Sequence, residues 1–537
     1  MDYLIRGGQV IDGGGGAGFS ADIAIDGGKI AAMGDLRQLK AAQTIDAAGR
    51  YVTPGFLDLH RHGDGALFRP GFGEAELHQG LTTVVNGNCG LSLAPCGGGH
   101  RAEILRYLAP ILGDPPPSLH TGTLGDYLGA AAGHGTPLHV GTLVGMGGLR
   151  AQVAGFGDGA LSDSQLRALH GALETALSDG ALGVSLGLGY APECFYDTAG
   201  LLRALAPLQN SGIPLAVHLR QEGSGVLGAL REMLTVARAL GTPVEISHLK
   251  CIGGEKNPAC VPELLRLLQQ ARDDGVDVAC DVYPYTAGST QLLHVLPPDC
   301  QQDGTEELLR RLGDGDYRAF LRRRMETGED FENIVLLAGF ENIVASALSA
   351  PENRPYAGLS IAEIARRTGR DGFTCLFDLL VSERLGAGMI DTIAAERDVE
   401  QILRAPFSAV ISDSTYPTSG GLHPRVYGTF PRLLETYVRE KAVLTMEEAI
   451  HKITGLPAAR YGLSGRGRLA VGAVADVNVF ALERIHETAT YAAPAQLAQG
   501  MDWVFVAGQP AIADGQYIGG RAGQILRRGT GAGYAAF

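Results

Sequence analysis

The chain has 537 residues, of which 45% are hydrophobic and 19% charged, so it is long enough for one large domain with a smaller companion and can bury a sizeable core. Its net charge of -14, with no basic stripe or Lys/Arg cluster, argues against a nucleic-acid or anionic-membrane partner and favours a small-molecule substrate. The eight cysteines show no framework spacing, and neither a signal-peptide pattern nor an apolar run of about 20 residues is present, so we expect thiols in a reducing cytoplasm.

The first segment, residues 1–53, predicts short strands joined by glycine turns. "YLIRGGQVID", "ADIAIDGGKIAAMG" and "QTIDAAGRYVTP" carry hairpin signals. This segment is too short to build much of a core alone. We therefore expect it to need a partner from elsewhere in the chain.

The middle of the chain, residues 54–465, alternates short apolar runs with helical patterns. Eight runs predict strands: "PGFLDLH", "TTVVNGN", "PLHVGTLVG", "ALGVSLGL", "PLAVHLR", "PVEISHL", "DVACDVYPY" and "FSAVISD". Near-continuous apolar runs are typical of parallel strands buried on both faces. Eight strand-then-helix units predict an α/β fold of the (β/α)₈ TIM-like barrel type.

Between the seventh and eighth runs lies a stretch, about residues 290–405, that is far longer than a typical connection between a strand and a helix. It contains helical patterns such as "TEELLRRLGDGDYRAFLRRRM". We therefore expect a helical insertion there.

The last segment, residues 466–537, returns to strand-and-turn patterns in "GRLAVGAVADVNVFAL" and "MDWVFVAGQPAIADGQYIG". The two ends of the chain are thus alike in pattern and each too small alone. We expect residues 1–53 and 466–537 to pair into one small β-sandwich beside the barrel.

Candidate metal ligands stand where the predicted strands end, the position of catalytic residues in barrel enzymes. Six residues stand at or just after the ends of five of the runs: His60, His62, Cys89, His218, His248 and Asp413. His60 and His62, two residues apart, share one face of a strand. Thiolate, imidazole and carboxylate groups suit zinc, so their convergence predicts a hydrolytic metal centre.

Each of these residues alone has an ordinary structural explanation. A lone histidine in an apolar strand is more often a hydrogen-bonded core residue than a ligand, and His139, early in its run, is interpreted that way. Cysteine is among the most buried residue types, and Asp413 could cap a helix. Core residues have no reason to gather at one end of a barrel, and this placement favours the metal site.

Several segments are similar to the signature segments of the N-acyl-D-amino-acid deacylases, the D-aminoacylase branch of the amidohydrolase superfamily. They are "PGFLDLHRHGD", "GLTTVVNGNCGLSLAP", "ALGVSLGLGYAP", "VHLRQEG", "ISHLK", "DVYPYTAGST", "SDS" and "HPRVYGTFPR". The resemblance implies zinc-dependent hydrolysis of the amide bond of N-acyl-D-amino acids to a carboxylic acid and a free D-amino acid. In this branch the cysteine of "GNCG" takes the place of the carboxylated lysine that bridges metals in hydantoinases and dihydroorotases.

The resemblance also implies roles for the metal ligands. Cys89, His218 and His248 would hold one tightly bound Zn²⁺, and the remaining three ligands would form an adjacent, weaker site. Asp413 would act as general base and then as general acid, taking a proton from water and returning it to the leaving amine.

Recognition of the substrate's α-carboxylate needs a cation, and arginine suits bidentate binding. The resemblance implies a clamp at the mouth of the site made of Lys250, Arg425, Tyr190, Tyr283 and Ser289. The neighbouring segment "STQLLHVLPPDC" has no arginine to pair an acidic side chain. Neutral or apolar D-amino acids are therefore favoured.

Two other functions stay open at this point. A cyclic-amide hydrolase of the hydantoinase or dihydroorotase type shares the barrel and sandwich but should carry a bridging lysine on the fourth run, and "ALGVSLGL" has none. A non-catalytic scaffold protein on the same fold should have lost metal ligands, and none is missing.

Overall fold

Short strands and helices alternate along residues 1–418 and 420–529, the part of the chain that the structure, a computed structural model, describes. The strands are β1 Tyr3–Val10, β2 Phe19–Asp26, β3 Lys29–Gly34, β4 Gln43–Asp46, β5 Tyr51–Pro54, β6 Phe56–Asp58, β7 Leu81–Asn86, β8 His139–Gly145, β9 Gly183–Gly187, β10 Leu215–His218, β11 Val244–Ile246, β12 Val278–Val282, β13 Ala287–Gln291, β14 Ile343–Ala345, β15 Gly388–Thr392, β16 Ser408–Val410, β17 Val477–Phe480, β18 Met501–Val506, β19 Gln509–Ala513 and β20 Gln516–Tyr517. The α-helices are α1 Glu74–His78, α2 Arg101–Leu112, α3 Leu124–His134, α4 Met146–Ala154, α5 Asp163–Asp179, α6 Thr198–Ala204, α7 Val226–Leu240, α8 Cys260–Asp273, α9 Thr305–Leu312, α10 Gly315–Thr327, α11 Ile334–Ala338, α12 Ile361–Thr368, α13 Gly372–Ser382, α14 Glu396–Arg404, α15 Arg425–Arg432, α16 Met446–Lys452 and α17 Gly455–Arg460.

Eight parallel strands form the barrel, in the order β16-β12-β11-β10-β9-β8-β7-β6. They are the eight apolar runs of the sequence, and their residues are buried on both faces, as parallel strands require. The first and last strands meet through a parallel bridge between Arg61 and Ser414, where His62 N donates to Ser414 O at 2.9 Å. The predicted (β/α)₈ fold is confirmed.

The helices between the strands bury one apolar stripe each against the sheet. In α7, for example, the buried positions recur every three or four residues: Val226, Ala229, Leu230, Met233, Leu234, Val236, Ala237 and Leu240. Within the described residues, no helix has both the length and the apolarity needed to cross a membrane.

A nine-stranded sheet joins the two ends of the chain. Its order is β20-β19-β18-β17-β5-β1-β2-β3, with β4 beside β1. The antiparallel pair β5–β17, with Val52 opposite Val479, links the first segment to the last. Gly27 (φ 55°) and Gly28 (φ 79°) turn the β2–β3 hairpin, and a two-residue loop with both φ values positive is the turn that matches strand twist. The ends therefore pair as expected.

The boundaries given for the parts of the chain, 1–53, 54–465 and 466–537, stay a prediction. Residues 530–537, the end of the last part, lie outside the described residues. Strand β6 begins at Phe56 and strand β17 at Val477, on either side of the barrel.

The insertion lies between β12 and β16 and contains more than the helices that the sequence predicts. Helices α9–α13 accompany a three-stranded antiparallel sheet in the order β13-β15-β14. These elements share a core of their own, in which Leu376 and Leu380 are fully buried. Helix α14 packs instead on α8 and β16, so it belongs to the barrel.

Candidate metal centre and active site

The six predicted ligands converge at the carboxyl end of the barrel. Each stands at the last residue of its strand or within four residues beyond it: His60 and His62 after β6, Cys89 after β7, His218 at the end of β10, His248 after β11 and Asp413 after β16. All six are buried. Strand ends that meet at one rim of a barrel place these side chains on a common centre.

One run of short distances joins four of the ligands. Cys89 Sγ lies 3.2 Å from His60 Nε2 and 3.4 Å from His248 Nε2. His248 Nε2 in turn lies 3.0 Å from His218 Nδ1. Four donor atoms therefore form a continuous cluster.

Asp413 extends the cluster on the side of His60 and His62. Its Oδ1 lies 3.1 Å from His62 Nε2 and 3.4 Å from His60 Nε2. Three triplets of donor atoms within 4.8 Å of one another result: His60–Cys89–His248, His60–His62–Asp413 and His218–Glu222–His248. The second triplet consists of the three residues that the resemblance assigns to an adjacent metal site. The tight set Cys89–His218–His248 is not one of the three, although Cys89 and His218 each contact His248.

Three of the ligands have a backbone conformation that L-residues rarely adopt. The φ angles are 55° at Cys89, 36° at His248 and 50° at Asp413. Such strain costs about 1–3 kcal/mol per residue and persists at functional sites where the surroundings fix it. The surroundings do so here, because Asp413 N donates to His60 O at 2.9 Å and His248 N donates to the Asp281 carboxylate.

The charges around Asp413 keep it ionised. Burial alone would raise the pKa of this carboxyl, but the Arg425 guanidinium and the neighbouring imidazoles of His60 and His62 hold it well below its usual range. Arg425 Nη1 lies 3.0 Å from Asp413 Oδ2. The carboxylate is thus held in the form that accepts a proton.

The donor set fits zinc. Burial, together with the carboxylates of Asp413 and Glu222, raises the pKa of the Cys89 thiol well above its usual value, so its thiolate needs a cation beside it. Among the described residues, neither the buried Nδ1 of His60 nor that of His62 has a hydrogen-bond partner. Thiolate sulfur, imidazole nitrogen and carboxylate oxygen within ligand distance of one another are the groups that Zn²⁺ prefers.

The predicted clamp residues surround the same centre, but the two cations are buried and already paired. Lys250 Nζ donates to Glu222 Oε1 at 2.7 Å and lies 2.9 Å from His248 Nδ1. Arg425 is fully buried behind Asp413 and outside the cavity lining. Both cations lie over the Tyr283 ring, at 4.9 Å for Arg425 and 5.8 Å for Lys250.

Ser289, on strand β13, and Tyr190 lie at the same cavity as Lys250. Ser289 lines the cavity, and its backbone oxygen accepts a hydrogen bond from Arg425 Nη2 at 3.1 Å. The Tyr190 hydroxyl lies 2.9 Å from Thr290 Oγ1. All five predicted clamp residues therefore lie around one centre.

Four further residues belong to the site and were not singled out from the sequence. Glu222 contacts His248 and Lys250, and Asp281 accepts from His248 N. Burial raises the pKa of Asp391, on β15, to about 6 and lowers that of His294 to about 4. Only Asp281, a carboxylate inside the apolar run "DVACDVYPY", carried a signal in the sequence.

The insertion forms part of the wall of the cavity beside the candidate metal ligands. Ile334, Asp391 and Ile393 of the insertion line it opposite His218 and His248. About 40 Å³ of free volume remains, space for a water molecule and little else. A substrate can therefore bind only if the insertion moves away from the metal end of the barrel or if the site extends beyond this cavity.

Comparison with known proteins identifies relatives of the chain. A model of the amidohydrolase family, Amidohydro_3, matches residues 43–512. Three proteins of Alcaligenes xylosoxydans xylosoxydans are similar to the chain over 98% of its length: D-aminoacylase (34% identical, 98% of that protein), N-acyl-D-aspartate deacylase (35%, 95%) and N-acyl-D-glutamate deacylase (36%, 97%).

Solved structures are similar over the same extent. N-acyl-D-glutamate deacylase from Bordetella bronchiseptica, in complex with zinc and a phosphonate mimic of the tetrahedral intermediate, superposes with a TM-score of 0.82 at 31% identity, covering 98% of this chain and 100% of that one. A D-aminoacylase structure concerned with a binuclear metal centre gives the same score, identity and coverage. L-hydantoinase from Arthrobacter aurescens, at 15% identity and a TM-score of 0.57 over 98% of this chain and 100% of that one, shares the fold alone.

Proposed function

The chain belongs to the amidohydrolase family, and we propose that it hydrolyses the amide bond of N-acyl-D-amino acids, giving a carboxylic acid and a free D-amino acid. The observation that carries this proposal is identity of 34–36% to three deacylases of this kind over 98% of the chain. Cys89 at the centre of the donor cluster supports it, as does the lack of lysine in β9, where a cyclic-amide hydrolase should carry one.

Zinc is the cofactor that the donor set fits. Cys89, His218 and His248 hold the tightly bound ion, and His60, His62 and Asp413 hold a second, weaker one. When bound, zinc supplies Lewis-acid polarisation of the substrate carbonyl and acidifies the attacking water. Cys89 and His218 each lie within 3.4 Å of His248, which supports the first set. His60, His62 and Asp413 form one of the three close triplets, which supports the second.

Asp413 moves the proton. One carboxylate oxygen accepts a proton from the attacking water and then donates it to the nitrogen of the leaving amine. Arg425, 3.0 Å away, favours the ionised form before the attack. The same residue serves as base and then as acid because the proton that it accepts is the one that the amine requires.

The clamp orients the substrate. Arg425, Lys250 and Tyr283 bind the α-carboxylate, with Ser289 and Tyr190 beside them. Once the amide and the carboxylate are both fixed, the third substituent at Cα can point in only one direction, so one enantiomer fits and the other meets the barrel wall. The names of the relatives indicate that the D form fits.

The side chain of the preferred substrate is neutral or apolar. Hydrophobic residues surround the cavity: Leu91, Ile111, Ile252, Ile334 and Ile393. Among the described residues that line it, Lys250 is the one Lys or Arg side chain, and it is paired with Glu222. In the proposed clamp the α-carboxylate takes that cation, so an acidic side chain would find no second one among these residues.

The kind of partner and the cellular location are inferred from the composition of the chain. The substrate is a small molecule, and neither nucleic acid nor a membrane surface is a partner, which the net charge of -14 supports. A cytoplasmic location is supported by the eight cysteines, all of which are free.

The decisive experiment compares enantiomers. The purified protein is incubated with N-acetyl-D-leucine, N-acetyl-L-leucine and a hydantoin. Free amino acid is quantified for the two acetyl compounds, and the N-carbamoyl amino acid that ring opening would give is quantified for the hydantoin. We expect hydrolysis of the D substrate alone. Hydrolysis of the L-enantiomer at a matching rate, or of the hydantoin alone, would overturn the proposal.

A further inference from the structure

A cavity of about 630 Å³, which we call the floor cavity, lies at the amino end of the barrel. Leu182, which directly precedes β9, lines it. Leu526 lines it as well, and the backbone N–H of this residue donates to Val140 O at 2.8 Å, near the start of β8. The candidate metal ligands stand at the opposite ends of the strands. Pockets that bind small molecules typically measure about 300–1,000 Å³, so the floor cavity has room for one.

One wall of the floor cavity is apolar. Leu182, Ala458 and Leu463 line it, and they belong to one hydrophobic cluster with Leu57 of β6 and Leu143 of β8. The wall therefore continues a core that the barrel strands share. A ligand that covers it with hydrocarbon gains the free energy of removing apolar surface from water.

The charged residues of the floor cavity have a single sign. Among the described residues that line it, none is Asp or Glu and four are arginines: Arg466, Arg468, Arg527 and Arg528. The whole chain has 58 acidic and 44 basic residues, so its composition does not predict a wall of this kind. Arginines gathered without carboxylates make a positive potential that attracts an anion.

Arg527 is the arginine best placed to bind an anion. Its Nη1 donates to the backbone oxygen of Asp179 at 2.6 Å, and it forms no ion pair with a carboxylate among the described residues. Arg466, in contrast, is paired with Asp476 at 2.5 Å. A guanidinium has five N–H donors in a fixed fork, so Arg527 retains donors for bidentate binding of a carboxylate or a phosphate.

We propose that the floor cavity binds an amphipathic anion, a carboxylate or phosphate on an alkyl chain. Arg527 binds the head group, and the wall that contains Leu182 and Leu463 covers the chain. An anion without a chain would leave the apolar wall in contact with water, and an uncharged chain would leave the arginines without a counter-charge. Binding here does not depend on the proposed function, because the floor cavity and the metal ligands lie at opposite ends of the barrel.

The test measures binding to the purified wild-type protein by isothermal titration calorimetry. The anionic probes are hexanoate, octanoate and octyl phosphate, and octan-1-ol and octylamine are the uncharged and cationic chains of matched length. Each buried methylene tightens binding about fourfold, so octanoate should bind at least about tenfold more tightly than hexanoate. Octan-1-ol and octylamine should bind at least about tenfold more weakly than octanoate, because neither provides a bidentate partner for arginine. Binding of either eight-carbon anion supports the proposal, and the tighter one identifies the head group.

Arg527→Gln removes the charge and should weaken octanoate binding about tenfold or more, the usual scale for losing a charge-assisted hydrogen bond. Arg521→Gln is the matched control. Arg521 is an exposed arginine of the same terminal segment, it also donates to a backbone oxygen, that of His134, and it does not line the floor cavity. This control leaves octanoate binding at its wild-type value.

Ser464→Glu tests the same site without removing a contact of Arg527. Ser464 is exposed and lines the floor cavity, so the new carboxylate repels the anion while the fold is retained. It should weaken octanoate binding about tenfold or more, the scale of one charged hydrogen-bond partner. Thermal unfolding verifies that each variant is folded, and Ser464→Glu decides the matter if Arg527→Gln is not.

Carboxylates also bind zinc, so the location of octanoate is checked with Cys89→Ala. Binding that survives Cys89→Ala and weakens in Arg527→Gln or Ser464→Glu supports the floor cavity. Binding that is lost in Cys89→Ala but survives both floor-cavity variants lies at the catalytic end and overturns the proposal. A wild-type protein that binds neither octanoate nor octyl phosphate, or that binds octanoate no more tightly than hexanoate, overturns it as well. None of these results bears on hydrolysis of N-acyl-D-amino acids, which the comparison of enantiomers decides separately.

Discussion

Arg425 Nη1 lies 3.0 Å from Asp413 Oδ2, so the cation proposed to anchor the substrate also touches the carboxylate proposed to move the proton. The two roles meet in one ion pair that is buried beside the metal ligands. Substrate binding and proton transfer should therefore respond together when this pair is broken.

Replacing Arg425 tests that link. Removal of a charge-assisted partner costs about 1.5–3 kcal/mol, so Arg425→Ala should lower kcat/KM for N-acetyl-D-leucine by roughly 10- to 150-fold. Because Asp413 loses the cation that favours its ionised form, kcat should fall. Because the α-carboxylate loses an anchor, KM should rise. Steady-state kinetics measure both, with the exposed Arg310→Ala as control. A change in KM alone would mean that Arg425 serves the carboxylate only.

Cys89 should be required for the metal. With its thiolate gone, Cys89→Ala should lose zinc and activity together, because the cluster is left without its sulfur ligand. Elemental analysis of the purified variant measures zinc per chain. Cys375→Ala, which removes a buried free cysteine from the insertion, should retain both. Full activity in a metal-free preparation would refute a zinc centre.

Asp413 should matter more for turnover than for the tight ion. Asp413→Asn keeps the shape of the side chain but removes the proton acceptor, and turnover should fall by ~10²-fold or more. Zinc at the tight site should stay near one per chain. If zinc leaves in step with activity, Asp413 is chiefly a ligand.

The stability of the protein should depend on pH through Asp476, which directly precedes strand β17 of the nine-stranded sheet. Burial opposes its ionisation, but His139, at 2.9 Å, and Arg466, at 2.5 Å, hold the pKa of this carboxyl below its usual value. A lowered folded pKa gives stability that is complete above the unfolded value of about 3.9 and is lost as the pH falls through the folded pKa.

Asp476→Asn should therefore destabilise the protein by about 1.5–3 kcal/mol at pH 7. The difference from wild type should shrink once the pH drops below about 4. Denaturant unfolding at several pH values between 3.5 and 7 gives both curves. A difference independent of pH would show that the hydrogen bonds matter and the charge does not.

His139 also illustrates what sequence patterns can predict. Its early position in an apolar run indicated a core residue, and it is buried on Asp476 and accepts Gln524 N at 3.0 Å. The eight barrel strands were likewise predictable, because continuous apolar runs between amphipathic helices have few other folded forms. The convergence of the six candidate metal ligands followed from their places at strand ends.

The other residues of the site and the small sheet of the insertion could not be predicted, because they depend on contacts that only the folded chain makes. Glu222 pairs with Lys250 across 28 positions, and no local pattern reveals that partner. Strand β13, "AGSTQ", lacks the alternation of apolar and polar residues that marks a strand, so the small sheet of the insertion was not foreseen. Asp391 lies on strand β15 of that sheet, so its place in the site was not predicted either.

The bridge between Arg61 and Ser414 has a consequence for how the protein is made. Strand β6 and the His60–His62 pair are synthesised early, whereas β16 and Asp413 are synthesised some 350 residues later. Long-range pairing of this kind is slow because the chain must close a large loop first. A nascent chain that ends before β16 therefore holds the first two histidines without their carboxylate. Because β6 and β16 meet at the barrel seam, completion of the proposed second metal site is a late event in synthesis, after most of the other candidate site residues have been translated.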